Sequence, residues 1–121
     1  MNITKQYLRE NPDHVFVFGD NLLRYGCGGA AALRYESNSY GFVTKIKPDN
    51  NENSFYKPSD YYSIYRQEII KLIDIVLQNP QKTYLISKLG AGLANKYLIW
   101  EQIIEPNIKI DLNLPNVKFL W

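Results

Sequence analysis

Two stretches of the chain carry an apolar run into a glycine-bearing loop. The first is Gly26-Cys27-Gly28-Gly29, the second Ser87-Lys88-Leu89-Gly90-Ala91-Gly92-Leu93-Ala94. Glycines let backbone amides approach a phosphate closely, and a helix start adds a favourable dipole. Two such loops facing one crevice suit a diphosphate. The competing reading is that the glycines only turn the chain. That reading is favoured for a lone loop, whereas a pair at equivalent places favours a ligand. Neither loop is a Walker A motif, because no Gly-Lys pair occurs in the chain. Gly26 and Gly28 match the first two glycines of a dinucleotide-binding fingerprint, but Ala31 stands at the third, and Asp20 to Tyr25 separate the loop from its strand.

Other residue types exclude more than they suggest. The single histidine, His14, and single cysteine, Cys27, cannot build a Cys/His zinc site or a disulfide framework. A Ser-His-Asp hydrolase would rest on His14 alone. Cys27 has no histidine nearby in sequence to activate it, which argues against a catalytic thiol. Arg24 could reach a phosphate or remain solvated. Tyr61 or Tyr62 could stack on a base, although packing is the commoner role for such a pair. Trp100 is expected in the core. Fourteen basic against twelve acidic residues give a net charge of +2, too mild to imply nucleic-acid binding. No apolar run approaches the ~20 residues of a membrane span, and the first twelve residues lack a signal-peptide core. A cytoplasmic protein without metal or cofactor is expected. Abundant Asn, Ile, Lys and Tyr, with AT-rich codons, hint at a low-GC bacterium or its phage.

The 121 residues suit a single domain spanning 1–121. Thr4 caps a short helix within residues 1–11, with Tyr7 and Leu8 facing inward. His14 to Phe18 reads as a buried strand stopped by a turn at Gly19-Asp20-Asn21. Ala30 to Tyr35 reads as a helix, and Tyr40 to Ile46 as a second strand. The polar stretch Lys47 to Pro58 reads as an exposed, mobile loop. Ser59 or Asp60 caps a long helix with an apolar stripe of Tyr62, Tyr65, Ile69, Leu72, Ile73, Val76 and Leu77. Tyr84 to Ile86 is a third strand and Leu98 to Ile104 a helix. Ile108 to Leu112 and Val117 to Trp121 are short strand candidates. Strands alternating with helices predict an α/β fold with a mixed, mostly parallel sheet between helical layers. Ligands of such sheets bind beyond the carboxyl ends of the strands.

The ordered motifs resemble those of a macrodomain, the fold that binds ADP-ribose. Asp20-Asn21 with the glycines from Gly26 and Ala30-Ala31 is similar to the family's first ligand loop. Ile86-Ser87-Lys88-Leu89-Gly90-Ala91-Gly92-Leu93 is similar to its phosphate loop. Phe42-Val43-Thr44-Lys45, then Lys57-Pro58-Ser59 and a long helix, resemble the branch of terminal ADP-ribose glycohydrolase and the DNA ADP-ribosyl glycohydrolase antitoxins. Phe16-Val17-Phe18-Gly19-Asp20-Asn21-Leu22 is most similar to small phage and bacterial macro-like proteins. The likeness covers roughly Val15 to Ile104.

The resemblance implies a macrodomain-like three-layer fold in which Asp20, Asn21, Gly26, Cys27, Gly28, Gly29 and Ala30 line one side of the site. Ser87, Lys88, Leu89, Gly90, Ala91, Gly92 and Leu93 would line the other. It places Lys45 where the branch has a catalytic lysine, able to attack an anomeric carbon if its amine is neutral, with Lys88 as a source of nearby positive charge. The branch's aspartate after the second loop is replaced by Ala94, which can neither take up a proton nor orient a water. Asp20 could supply that carboxylate, bind an adenine amine, or form an Asx turn. The implied ligand is ADP-ribose, a related signal or an ADP-ribosylated macromolecule, with nucleic acid only as a modified substrate and no membrane partner. Binding with little turnover is the first expectation; removal of ADP-ribose through Lys45 is the alternative. The setting implied is the cytoplasm of a bacterial cell or a phage-infected host.

Overall fold

The computed structural model describes residues 2–121. Met1, where the first sequence-based helix segment begins, lies outside them. Helix α1 (Lys5–Glu10) is capped by Thr4, whose hydroxyl accepts the Tyr7 amide at 3.0 Å. Strand β1 (His14–Asn21) runs through the Gly19-Asp20-Asn21 stretch where the sequence suggested a turn. Pairing with β2 (Ser39–Lys45) overrides that local signal, since Gly19 faces Phe42 and Asp20 faces Val43. The register then slips, from Asp20 opposite Val43 to Asn21 opposite Lys45, so Thr44 is an extra residue on β2.

Strand β3 (Thr83–Ile86) flanks β1 on its other side, and β4 (Val117–Phe119) follows. The order is β2-β1-β3-β4 and all three pairings are parallel. The fold is therefore α/β, as expected, but the sheet is wholly parallel among the described residues rather than mixed.

One face of the sheet carries the main core. Helix α2 (Pro58–Gln78) buries Tyr61, Tyr65, Ile69, Leu72 and Val76 there, with Val17, Phe42 and Ile86 from the strands. The stripe uses Tyr61, fully buried, where the sequence reading had Tyr62; Tyr62 and Leu77 point to solvent. No side chain caps α2. It starts with Pro58 at its first turn, whose fixed φ and missing N–H suit that place. The other face is thinner, with Ile3, Leu8 and Leu85 packed with Phe16, Leu33 and Leu120.

Three further expectations fail for identifiable reasons. Ala30 to Tyr35 is not a helix: only Gly29–Ala31 makes a single 3-10 turn. For Lys47 to Pro58 the failure is partial: residues 47–53 are exposed as expected, but the Ile46 amide donates to the Ser54 carbonyl and Ser54, Phe55 and Tyr56 are buried. Ile108 to Leu112 is helical, in α3 (Glu105–Asp111). A π-helical stretch, Trp100–Ile104, precedes α3, with the Glu105 amide donating to Trp100. The wider turn accommodates Pro106, which has no amide and whose ring would crowd an α-helical carbonyl four residues back. Trp100 is buried as expected. No helix of the described residues is long and apolar enough to cross a membrane.

Candidate functional site

Three neighbouring parallel strands end at one edge, and a cavity of about 520 Å³ opens there. Its walls come from Gly19–Asn21 of β1, Thr44 and Lys45 of β2, and the loop after β3. Both glycine loops face it. Asp20, Asn21, Gly26, Gly28, Gly29, Ala30, Lys45, Ser87, Lys88, Leu89, Gly90, Gly92 and Leu93 all line it. Of the site residues that the resemblance implies, Cys27 and Ala91 do not; Cys27 is exposed. Arg24, Tyr61 and Tyr62 do not line it either. His14 sits at the opposite, amino-terminal end of β1, with Nδ1 2.7 Å from the Tyr7 hydroxyl. Ala94 is buried in the cavity wall, so no carboxylate stands at that point.

The glycines separate into two groups. Gly90 has φ +77° and a Cβ there would come within 2.8 Å of Ile104 Cδ1. Gly26 and Gly29 also have positive φ, which disfavours any side chain. A Cβ on Gly41 would overlap the Asp20 carboxylate, and one on Gly19 would press on Thr44 Oγ1 at 3.2 Å. Gly28 and Gly92 differ. Neither has a positive φ, and no atom lies within 4 Å of a built Cβ. Turning and packing leave these two glycines unexplained, and both line the cavity. The amides of Gly28, Gly29 and Ala30, and of Gly92, Leu93 and Ala94, donate to no group among the described residues. The first loop opens no true helix, so free amides, not a helix dipole, are what it offers an anion.

Asp20 is buried and engaged on both oxygens. Arg34 forks onto it, with Nη1 3.0 Å from Oδ2 and Nη2 on Oδ1. Arg24 Nη1 lies 3.4 Å from Oδ2, and the Asn21 amide donates to Oδ1 at 2.8 Å. That bond to the next residue is not an Asx turn, which reaches two residues on. The hydrogen bond to Asp20 raises the Arg34 guanidinium pKa above its ordinary value. Arg24 also donates to the Gly41 carbonyl at 2.6 Å and to Glu68 of α2 at 3.3 Å. Glu68 is buried and accepts the Val43 amide at 2.7 Å. Sequence reading missed Arg34, Glu68 and Gly41. The signal for Glu68 was a carboxylate inside the apolar stripe between Tyr65 and Ile69.

Asn21 is buried. Its Nδ2 donates to the Tyr25 carbonyl at 2.8 Å. Its Oδ1 has no hydrogen-bond partner, the one such buried side-chain atom among the described residues. An orphaned acceptor costs roughly 1–3 kcal/mol.

Lys45 Nζ donates to the Asp49 carbonyl at 2.8 Å and lies 4.5 Å from the Phe55 ring centroid. Burial lowers its pKa below the usual lysine value, opposed by the Asp49 carboxylate. Lys88 is not the cause; its ammonium lies over the Trp100 ring, 5.4 Å from the centroid. Tyr61 does not reach the cavity, since its hydroxyl donates to the Val43 carbonyl. Among the described residues no three His, Cys, Asp or Glu side chains gather to hold a metal ion.

No curated protein and no solved structure matches the chain. Residues 1–95 match a family described as being of unknown function, DUF7831. That match spans most of the 121 residues, so the chain belongs to the DUF7831 family.

Proposed function

We propose that the chain is a macrodomain-like module that binds ADP-ribose, or a related nucleotide diphosphate, in this cavity with little turnover. The observation that carries the reading is the pair Gly28 and Gly92. Each is a glycine that neither conformation nor packing demands, one on each loop of the same cavity, beside free amides. A ligand that brings phosphates against both backbones supplies the missing reason. The ligand is then anionic at the loops.

A second reading, removal of ADP-ribose through Lys45, is favoured by one observation: burial lowers the lysine's pKa. Attack by an amine also needs a group to handle the proton as the bond breaks. Ala94 cannot do so, and both Asp20 oxygens are occupied by arginines. Binding therefore outlasts chemistry in this account. Calorimetric titration with ADP-ribose, NAD, AMP and cyclic ADP-ribose tests it. Saturable binding of ADP-ribose or the cyclic form supports the reading, and no binding of any of the four overturns it.

A further inference from the structure

We infer that Arg34 is a positioning residue that presents the first glycine loop to an anionic ligand, an assignment that rests on the reading above. An anion site made of backbone needs its carbonyls tied up elsewhere, since a free carbonyl oxygen repels a phosphate. In the first loop Arg34 does this. Its Nε donates to the Gly26 carbonyl at 2.7 Å and its Nη2 reaches the Tyr25 carbonyl at 3.3 Å. Asn21 Nδ2 takes the same Tyr25 carbonyl at 2.8 Å. The amides that follow, at Gly28, Gly29 and Ala30, are left free.

The guanidinium is held in place from two sides. Asp20 receives its fork, and the group lies over the Phe18 ring, 5.4 Å from the centroid. The Arg34 side chain is only 9% exposed and Asp20's only 2%. Asp20 is thus the anchor of the arginine, and the arginine sets the loop. Four directed N–H donors in one plane fork the carboxylate and hold two carbonyls together. A lysine ammonium can keep the charge pair but cannot reproduce that fan or the stacked contact.

Arg34→Lys is the test, because it retains a cation beside Asp20. Asp20→Asn is the second variant. It keeps the side-chain shape but weakens the anchor, and serves if the lysine variant does not fold. Two readouts are compared with melting temperature. In amide proton–nitrogen spectra, the Gly26, Gly28 and Gly29 resonances should move and their hydrogen exchange should speed up. Gly90 and Gly92, on the other loop, should stay. Loss of a buried pair lowers melting by itself, so affinity is read at a temperature where the variant stays folded; there ADP-ribose affinity by calorimetry should fall at least tenfold. Unmoved first-loop resonances overturn the proposal. So does a variant in which both loops shift and melting drops together, which marks a merely structural arginine. If wild-type protein itself binds no ADP-ribose, the ligand reading fails, and the glycine spectra alone still decide whether Arg34 sets the loop.

Discussion

Gly90 and Gly92 are two residues apart, yet the structure gives a steric reason for the first to be glycine and none for the second. Gly90→Ala should damage the fold. Its φ of +77° puts an L side chain in the left-handed region, at roughly 1–2 kcal/mol. The added Cβ would meet Ile104 Cδ1 at 2.8 Å, and overpacking of that kind adds roughly 1–3 kcal/mol. The total is about 2–5 kcal/mol, which lowers the melting temperature of a chain this size by on the order of 10 °C or more. Gly92→Ala meets open space at ordinary φ and should be neutral or stabilise by up to ~1 kcal/mol. Gly92→Glu should also leave melting nearly unchanged while placing a carboxylate in the proposed phosphate site. Two like charges ~4–5 Å apart at an effective dielectric near 20 repel by about 3–4 kcal/mol, two to three orders of magnitude in affinity. Thermal melting and calorimetric titration with ADP-ribose separate the two effects. A Gly92→Glu variant that melts normally and binds within threefold of wild type would refute the argument that Gly92 is kept clear for a ligand.

Three other outcomes are expected. Ala94→Asp should raise release of ADP-ribose from modified protein or single-stranded DNA more than it changes affinity, since general acid–base help is worth ~10²–10⁴-fold; the rise should vanish when Lys45→Ala is added. Glu68→Ala strands the Val43 amide and half of Arg24's pairing. It should destabilise by roughly 2–4 kcal/mol in denaturant unfolding, below a fully buried pair because the Arg24 side chain is 44% exposed. Alkaline titration should weaken the fold. Burial raises the phenol pKa values of Tyr40, Tyr56, Tyr61, Tyr65 and Tyr84, and the Tyr65 hydroxyl is further held by Asp111 at 2.7 Å. The unfolded chain then loses these protons first, so stability is full below the ordinary phenol pKa of ~10 and falls as pH rises above it; urea midpoints measured from pH 8 upward check this.

The parts of the fold that could be read from the chain are those fixed by local chemistry. Thr4 capping α1, the β-branched and aromatic core of β1, and Tyr84-Leu85-Ile86 each carry their own signal. The α3 error shows how two periods can coincide. Ile108, Ile110 and Leu112 alternate as a strand would, but Ile104, Ile108 and Leu112 also recur every four residues. The structure buries those three and leaves Ile110 77% exposed. Ala30 to Tyr35 has helical composition, yet the Ser39 hydroxyl takes the Arg34 carbonyl and the Arg34 side chain is drawn to the Gly26 carbonyl and to Asp20, so tertiary bonds win. The two glycine loops were legible as a pair, whereas the reasons for individual glycines were not. Gly41 is a glycine because of Asp20, twenty-one residues away, and Gly90 because of Ile104. The Asp20–Arg34 and Arg24–Glu68 pairs likewise join segments that only the folded chain brings together.

The central claim is that a cavity built from two glycine loops holds a phosphate-bearing sugar nucleotide without consuming it. One calorimetric titration of the wild-type protein with ADP-ribose, followed by analysis of the recovered ligand and of ADP-ribosylated protein incubated with and without the chain, tests it most directly. The account predicts saturable one-site binding, intact ligand and negligible release of ADP-ribose. Absence of binding, or rapid release that disappears in Lys45→Ala, would contradict it.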